Sequence, residues 1–221
     1  MHDLDALSAL QRTLSHRVII RDAFKTPVTR VAGIDLAFIG DVAITACVIT
    51  AVPPVTALAE YTVLSKLDFP YRSGFLSFRE GPPIIALVTS LASKADLFLI
   101  NAHGLAHPRF YGCASHVGVV TGAVTIGVTA RNLCGVYTRA PQGVGSAVAA
   151  YYRERQVGWV VQSKAGCRPI FVSPGHKISL DSTLELVTAC LCGHKLPEPL
   201  WLAHGMANSE KRRRQAMDSG M

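Results

Sequence analysis

Leucines at positions 4, 7, 10 and 14, followed by Val18, recur at three- and four-residue steps with polar residues between them. That spacing predicts an amphipathic helix at the start of the chain. The pattern then changes. RVAGIDLAFI (30–39) and VAITACVITAV (42–52) are apolar, β-branched runs separated by Gly40-Asp41, a dipeptide suited to a tight hairpin. ALAEYTVLSKL (57–67) predicts a third strand beyond the Pro53-Pro54 break, completing an antiparallel meander. The punctuated stretch FPYRSGFLSFREGPP (69–83) leads into a helix over about 82–92, where proline suits the first turn because its missing N–H has no partner there. LFLIN (97–101) and VTIGV (124–128) are short apolar runs with helix-compatible sequence between them, an alternation that predicts parallel, buried strands. VGWVVQ (157–162) and PIFVS (169–173) predict a further strand pair, and Ser182 with Glu185 a capping box for a helix carrying Leu186, Val187 and Leu191. Beyond Asn208, SEKRRRQAMDSGM reads as a frayed, basic tail.

A meander followed by strand–helix alternation is an α/β fold with a mixed sheet flanked by helices. Its 221 residues, 49% of them hydrophobic, suit one core, and the expected organisation is a single domain over 1–208 with a disordered basic tail over 209–221. No apolar run approaches the ~18 residues of a membrane span. Six cysteines (Cys47, Cys113, Cys134, Cys167, Cys190 and Cys192) show no framework spacing, and charges at Asp3, Asp5, Arg12 and Arg17 exclude a signal-peptide pattern. A cytoplasmic monomer with free thiols and no membrane partner is the expectation. The net charge of +7 leans toward polyanionic partners but equally suits a soluble protein with surplus surface cations.

Ligands of such sheets gather at strand carboxyl ends, and polar residues are concentrated there. Asn101 ends the run LFLI, and Asp35 interrupts an apolar strand, where a carboxylate is costly unless paired or metal-bound. Glu80 stands beside Arg79, an arrangement also met in surface ion pairs. His103, His107, Cys113 and His116 have a zinc-like composition, but their H-x3-H-x5-C-x2-H spacing matches no common structural-zinc pattern.

Read in order, VAGIDLAF, PYRSGFLSFRE, NAHGLAHPR with YGCASH, TIGV with LCG, SPGHKISLDS and LPEP resemble the endonuclease V family of nucleic-acid repair enzymes from about residue 12 to residue 208. The resemblance implies a ribonuclease H-like fold and Mg²⁺-dependent cleavage of DNA or RNA at deaminated purines, chiefly hypoxanthine, at the second phosphodiester bond on the 3′ side; Mn²⁺ is a further candidate cation. It implies that Asp35 and Glu80 are metal carboxylates, and that His176 and Asp181 position water or phosphate near the metal. Two departures stand out. The family's third carboxylate, an aspartate opening a D-G-H-G segment, is here Asn101 in Asn101-Ala102-His103-Gly104, leaving an amide oxygen as the candidate ligand. The family's lysine after the strand I-G-V-A is here Ala130, with Arg131 adjacent.

The same resemblance makes Pro70 and Tyr71, in a segment closed by Gly74, a wedge that fills the gap left by an extruded base. Stacking of that kind contributes ~1–3 kcal/mol per base. It assigns Gly104 and Gly112 to close backbone approach to the base, gives Ala102 a methyl that narrows the pocket, and makes Arg109 a phosphate or structural contact. The implied function is a metal-dependent endonuclease acting at hypoxanthine, impaired by Asn101 and Ala130. The alternative is a cleavage-deficient, nucleic-acid-binding relative that retains lesion recognition.

Overall fold

The computed structural model describes residues 3–219. Its first hairpin turns at Gly40-Asp41, where Gly40 has φ +56°, a backbone state that glycine adopts without the Cβ clash of other residues. The hairpin joins β1 (Arg30–Ile39) to β2 (Val42–Ala51), paired antiparallel with Asp35 opposite Ala46. β3 (Thr56–Lys66) adds to the outer side of β2. On the inner side, β4 (Leu97–Ile100) and then β5 (Thr125–Thr129) run parallel to β1. The sheet continues antiparallel through β8 (Ile170–His176), β7 (Arg155–Val161) and β6 (Ala147–Tyr152), giving the order β3-β2-β1-β4-β5-β8-β7-β6.

Every residue of β4 and β5 is buried, as expected of parallel strands covered on both faces. On one face α3 (Gly81–Leu91) and α4 (Cys113–Thr121) press Ile84, Val88, Ala114 and Val117 onto Ala32, Ile34, Phe98 and Ile100. On the other, α5 (Leu180–Ala189) and α6 (Glu198–Ser219) bring Val187 and Leu200 to Val31, Leu97, Leu99 and Ile126. The short α2 (Leu76–Arg79) leads into α3, whose Pro82 and Pro83 occupy the first turn. At the start, α1 (Leu4–Ser15) is capped by the Asp3 carboxylate, which accepts from the N–H groups of Asp5 and Ala6.

One contact sets the register of α6 on the sheet. A Cβ on Gly33 would lie 2.1 Å from the Pro199 carbonyl carbon, so only glycine lets the helix settle on β1. Gly33 and Asp35 share a face of the strand. Two strand residues span about 6.6 Å, close to the rise of about 7.5 Å over the five helical residues from Pro199 to His204. Packing at Gly33 therefore carries His204 over Asp35.

The structure differs from the sequence expectation in three places. Residues 209–219, expected to belong to a disordered tail, continue α6 to Ser219. Met206 and Ala207 pack that helix on Ala37 and Ile44, and Glu210 pairs with Arg213 and Arg214 one turn on. α5 begins at Leu180 with Ser179 as its cap, because the Ser182 hydroxyl is engaged with Asp22 at 2.7 Å. The strand β6, unmarked in the sequence pattern, completes a hairpin with β7. No helix among the described residues is long and apolar enough to cross a membrane.

Candidate active site

Asp35 is 6% exposed in the middle of β1, yet both carboxylate oxygens are occupied. Oδ1 accepts from the Leu36 N–H at 2.8 Å and from Asn101 Nδ2 at 2.9 Å. Oδ2 pairs with His204 Nδ1 at 2.6 Å. Asn101 is delivered by the backbone: it is the first residue beyond β4, and its N–H donates to the Ile34 carbonyl at 3.0 Å, so its side chain stands beside the next residue of β1. His204 comes from α6 and is half exposed. Its bond to Asp35, together with that residue's charge, raises the imidazole pKa above its ordinary value against the opposing effect of burial. The contact thus favours the protonated imidazole more than water does.

Glu80 reaches the same region from the α2–α3 junction. Burial pushes its pKa up to about 7; the Asp35 charge pushes in the same direction, and Arg79 offsets part of both. Arg79 does not neutralise it fully because its Nη1 donates to the Phe69 carbonyl at 2.6 Å and its guanidinium lies over the Phe38 ring. Near neutral pH Glu80 is therefore poised between the acid and the carboxylate.

Asp35, Glu80 and Asn101 are brought together; His176 and Asp181 are not. β8 runs antiparallel to β5 and pairs His176 with Thr125, at the opposite end from Thr129. By register, His176 sits three residues below the level of Asn101 and three strands across from Asp35, about 10 Å along and 14 Å across the sheet. There its Nδ1 accepts the Ile19 N–H, and burial, with Lys177 and Arg17 nearby, lowers its pKa to about 4. Asp181 is exposed in the first turn of α5. Ala130 and Arg131 follow β5, both exposed, and the Arg131 carbonyl is held by Thr129 Oγ1 and His103 Nε2.

Two carboxylates and an amide are a sparse set for a cation. Among the described residues no three His, Cys, Asp or Glu side chains are placed to hold a metal. Mg²⁺, however, is commonly held by one or two carboxylates together with waters and substrate phosphates, and Asp35 with Glu80 meets that minimum. Asn101 presents its N–H, not its oxygen, to Asp35. The zinc-like residues are engaged separately. His103 bonds the Arg131 carbonyl, and His107 bonds the Gly74 carbonyl through Nε2 while Nδ1 accepts the Arg109 N–H. His116 meets the Tyr111 hydroxyl, and Cys113 is buried with its thiol pKa raised by desolvation and by Glu80.

A cavity of about 130 Å³ opens beside this site, with Tyr71, Gly74, Ser77, His103, Gly112 and Leu133 in its wall. It is smaller than the roughly 300–1,000 Å³ typical of sites for drug-sized ligands, a scale suited to a single flat ring system. Tyr71 stands at its rim, 69% exposed, next to the exposed Pro70. Gly74 has φ +77°, and its carbonyl accepts from Arg109 Nη2, His107 Nε2 and Gln11 Nε2. Gly112 allows the loop to close on itself, since a Cβ there would lie 2.2 Å from the His103 oxygen.

The packing bears on three expectations for this region. A Cβ on Gly104 would strike the Pro174 carbonyl at 2.2 Å, so that glycine admits β8 rather than a ligand. Ala102 is 2% exposed within the core under α3 and α4, and its methyl does not narrow the cavity. Of the two roles expected of Arg109 the structural one is seen: its Nε donates to Gln11 Oε1 at 2.6 Å and its guanidinium covers the Phe75 ring at 4.6 Å.

Sequence reasoning missed His204 and Gln11. Gln11 is 1% exposed and ties α1 to Gly74, Ser77, Tyr111 and Arg109. Its available signal was a polar residue beside the apolar stripe of an amphipathic helix. For His204 the signal was the helix after LPEP, inside the matched stretch, where a single histidine ordinarily reads as a surface residue.

Comparison with known proteins bears on this geometry. The family model described as Endonuclease V matches residues 12–205. Endonuclease V of Roseiflexus castenholzii is 36% identical over 206 residues, covering 93% of this chain and 92% of the relative. The crystal structure of Endonuclease V from Streptomyces avermitilis superposes with a TM-score of 0.88 at 31% identity, covering 97% of this chain and 96% of that one. A Ciona intestinalis Endonuclease V variant, in complex with a 23mer DNA containing an inosine followed by a ribo-adenosine, superposes with a TM-score of 0.84 at 25% identity, covering 96% of this chain and 99% of that one. The architecture is accordingly ribonuclease H-like.

Proposed function

The chain belongs to the endonuclease V family, and from that premise we propose that it recognises hypoxanthine in DNA or RNA while its hydrolysis of the second phosphodiester bond 3′ to that base is impaired. The observation that carries this reading is the engagement of Asp35 from both sides, by the Asn101 amide and by His204. Two carboxylates facing each other need a cation between them. An amide that donates to Asp35 puts a hydrogen bond where another carboxylate would repel it, which weakens the demand for a cation although Asp35 and Glu80 still face each other.

Asp35 and Glu80 are the residues that would hold Mg²⁺ or Mn²⁺. Such an ion, when bound, supplies an activated water and stabilises charge on the leaving oxygen. Asn101 adds no negative charge to attract it, and His204 competes for Asp35 Oδ2. Glu80, with its pKa near 7, holds or releases a proton at its carboxylate close to the working pH. Ala130 offers no ammonium to the scissile phosphate.

Recognition is better equipped. Tyr71 presents a ring that can stack where a base has left the duplex, offsetting the few kcal/mol of unstacking. The adjoining cavity, with Gly112 in its wall, has the scale of one base. The inosine-containing DNA bound by the Ciona relative supports a nucleic-acid partner of this kind. The reading further takes the protein as a monomer, and places it in a reducing compartment, the setting in which free cysteines persist.

The test uses labelled strands containing deoxyinosine or inosine, with undamaged strands of the same sequence, in Mg²⁺ and in Mn²⁺. Tighter binding to the damaged strands with slow single-turnover cleavage is the expected result, and Tyr71→Ala should reduce the preference. Equal affinity for damaged and undamaged strands would overturn the recognition half of the reading. Brisk cleavage by the unmutated protein would overturn the impairment.

A further inference from the structure

We propose that the segment between Ala130 and Tyr152, together with the turn joining β6 to β7, is an arm that binds the single-stranded nucleic acid flanking the lesion. This deepens the reading above and rests on it for the identity of the lesion. Three observations converge. The first is charge: from Ala130 through the β6–β7 turn to Arg155 the chain carries four arginines against one acid, Glu154, a net +3 of the whole protein's +7. The second is exposed apolar and aromatic surface on the same stretch: Val136 is 74% exposed, Val144 59%, Tyr151 45% and Tyr137 38%. Single surface apolar residues are ordinary, but a cluster of this kind marks a contact surface.

The third observation is continuity with the cavity. Leu133 belongs to both, as a residue of the arm and of the cavity wall. On the other side Phe110, in the loop that returns to Gly112, meets the Tyr152 ring at 5.6 Å and lies under the Arg155 guanidinium at 5.5 Å. The arm therefore adjoins the loop that shapes the cavity, where a strand leaving the cavity can meet it. Exposed rings interleaved with arginines are the chemistry of sequence-tolerant single-strand binding, because every base has a π face and every linkage a phosphate.

A second copy of the chain fits less well. Pairing through the edge of β6 would need its main-chain groups, but Tyr151 already exchanges both backbone hydrogen bonds with Val136, at 2.7 and 2.9 Å. Two surfaces of the same positive sign also repel. The partner favoured by both facts is a polyanion.

The test is fluorescence anisotropy with labelled single strands carrying one deoxyinosine, short or extended on either side, over a range of salt. Affinity of the unmutated protein should rise as the strand is lengthened past the lesion. In Arg139→Gln/Arg153→Gln, two exposed cations are removed, so the salt slope should fall by about 1.4 and low-salt affinity by about tenfold. Damaged and undamaged strands should lose equally, leaving their ratio unchanged, and Tyr151→Ala should weaken both. Tyr71→Ala should instead lower the ratio and leave the slope intact. No gain with strand length, or an unaltered slope in the double variant, overturns the arm. A slope that falls in the double variant while the unmutated protein shows no lesion preference supports the arm and defeats the lesion reading alone. Concentration-dependent dimerisation abolished by the same variants would overturn the proposal in favour of self-association.

Discussion

At the scale of single residues, Asn101 shows how one atom pair changes the electrostatics of a site. Aspartate has nearly the same shape, so Asn101→Asp should fit the end of β4 without repacking. It would exchange the N–H now donated to Asp35 for a second negative charge. Without a cation the two carboxylates repel, and the variant should melt below the unmutated protein in EDTA. With Mg²⁺ the difference should narrow or reverse, and single-turnover cleavage of a deoxyinosine strand should rise by at least about tenfold, or 1.4 kcal/mol. Adding Ala130→Lys should raise it further by neutralising phosphate charge. A folded, substrate-binding Asn101→Asp variant that cuts no faster would show that the missing carboxylate is not the limiting defect.

Glu80 gives a second residue-scale prediction, whose sign follows from linkage. Its folded pKa is raised from 4.5 to about 7, so between those values the folded protein binds more protons than the unfolded chain. Stability from this group is therefore present at low pH and lost as pH rises through that window. A shift of this size corresponds to at most about 3 kcal/mol, less the screening of a partly reachable site. Glu80→Gln should flatten the decline in urea-measured stability between about pH 4.5 and 7 and make the protein more stable than the original at pH 8 without Mg²⁺. An unchanged pH profile would place Glu80 in water rather than in the site.

At the scale of elements, the local patterns were legible where the signal is local. The helical period of α1, the proline-led α3, the Gly40-Asp41 hairpin and the short buried strands all follow from periodicity and turn chemistry, although α1 leaves Leu4 and Leu10 exposed and buries Gln11. The failures share a cause in distant contacts. Ser182 has the spacing of a cap but is claimed by Asp22, 160 residues away. The run AVAAYY becomes β6 only because β7 and Val136 flank it. The end of α6 is helical because Met206 and Ala207 find β1 and β2, a condition invisible in a string of arginines.

Gln11 belongs to this scale because it makes α1 part of the cavity. Its amide reaches the Gly74 and Tyr111 carbonyls and Ser77 Oγ, and its oxygen receives Arg109 Nε. Gln11→Leu keeps the volume and removes the partner of Ser77 Oγ, the Tyr111 carbonyl and Arg109 Nε, while the Gly74 carbonyl keeps Arg109 and His107; each buried group left unsatisfied costs about 1–3 kcal/mol. The variant should be destabilised by about that much in urea denaturation. It should also lose preference for a deoxyinosine strand, since the Tyr71–Gly74 segment would no longer be fixed against the His107–Tyr111 loop. Stability lost with the preference fully retained would reduce Gln11 to an anchor for α1.

At the scale of the whole molecule, the order of motifs along the chain was legible, but not which end of the sheet each one reaches. Asp35 and Asn101 meet because β1 and β4 are parallel neighbours. His176 belongs to a strand that returns antiparallel, and is carried to the far end. His204 arrives from the last helix because Gly33 admits Pro199. The last of these placements can be tested by separating backbone freedom from close approach. Gly33→Ala puts a methyl within 2.1 Å of the Pro199 backbone, which cannot yield as a flexible side chain would. α6 must shift, disturbing the packing of Leu200 and drawing His204 away from Asp35. Gly40→Ala also carries a substitution penalty, but only a conformational one, because its φ is +56° and nothing lies within 4 Å of the new methyl. A left-handed residue of that kind loses about 1–2 kcal/mol, whereas overpacking against rigid backbone in the core belongs to the mutations that lose more than about 3 kcal/mol. Urea denaturation should therefore rank Gly33→Ala well below Gly40→Ala. The His204 imidazole, followed by NMR titration, should fall back toward its ordinary pKa in the first variant and keep its raised value in the second. Equal destabilisation with His204 unaltered in both would mean that α6 is not held in register by Gly33, and that the pairing of His204 with Asp35 has another origin.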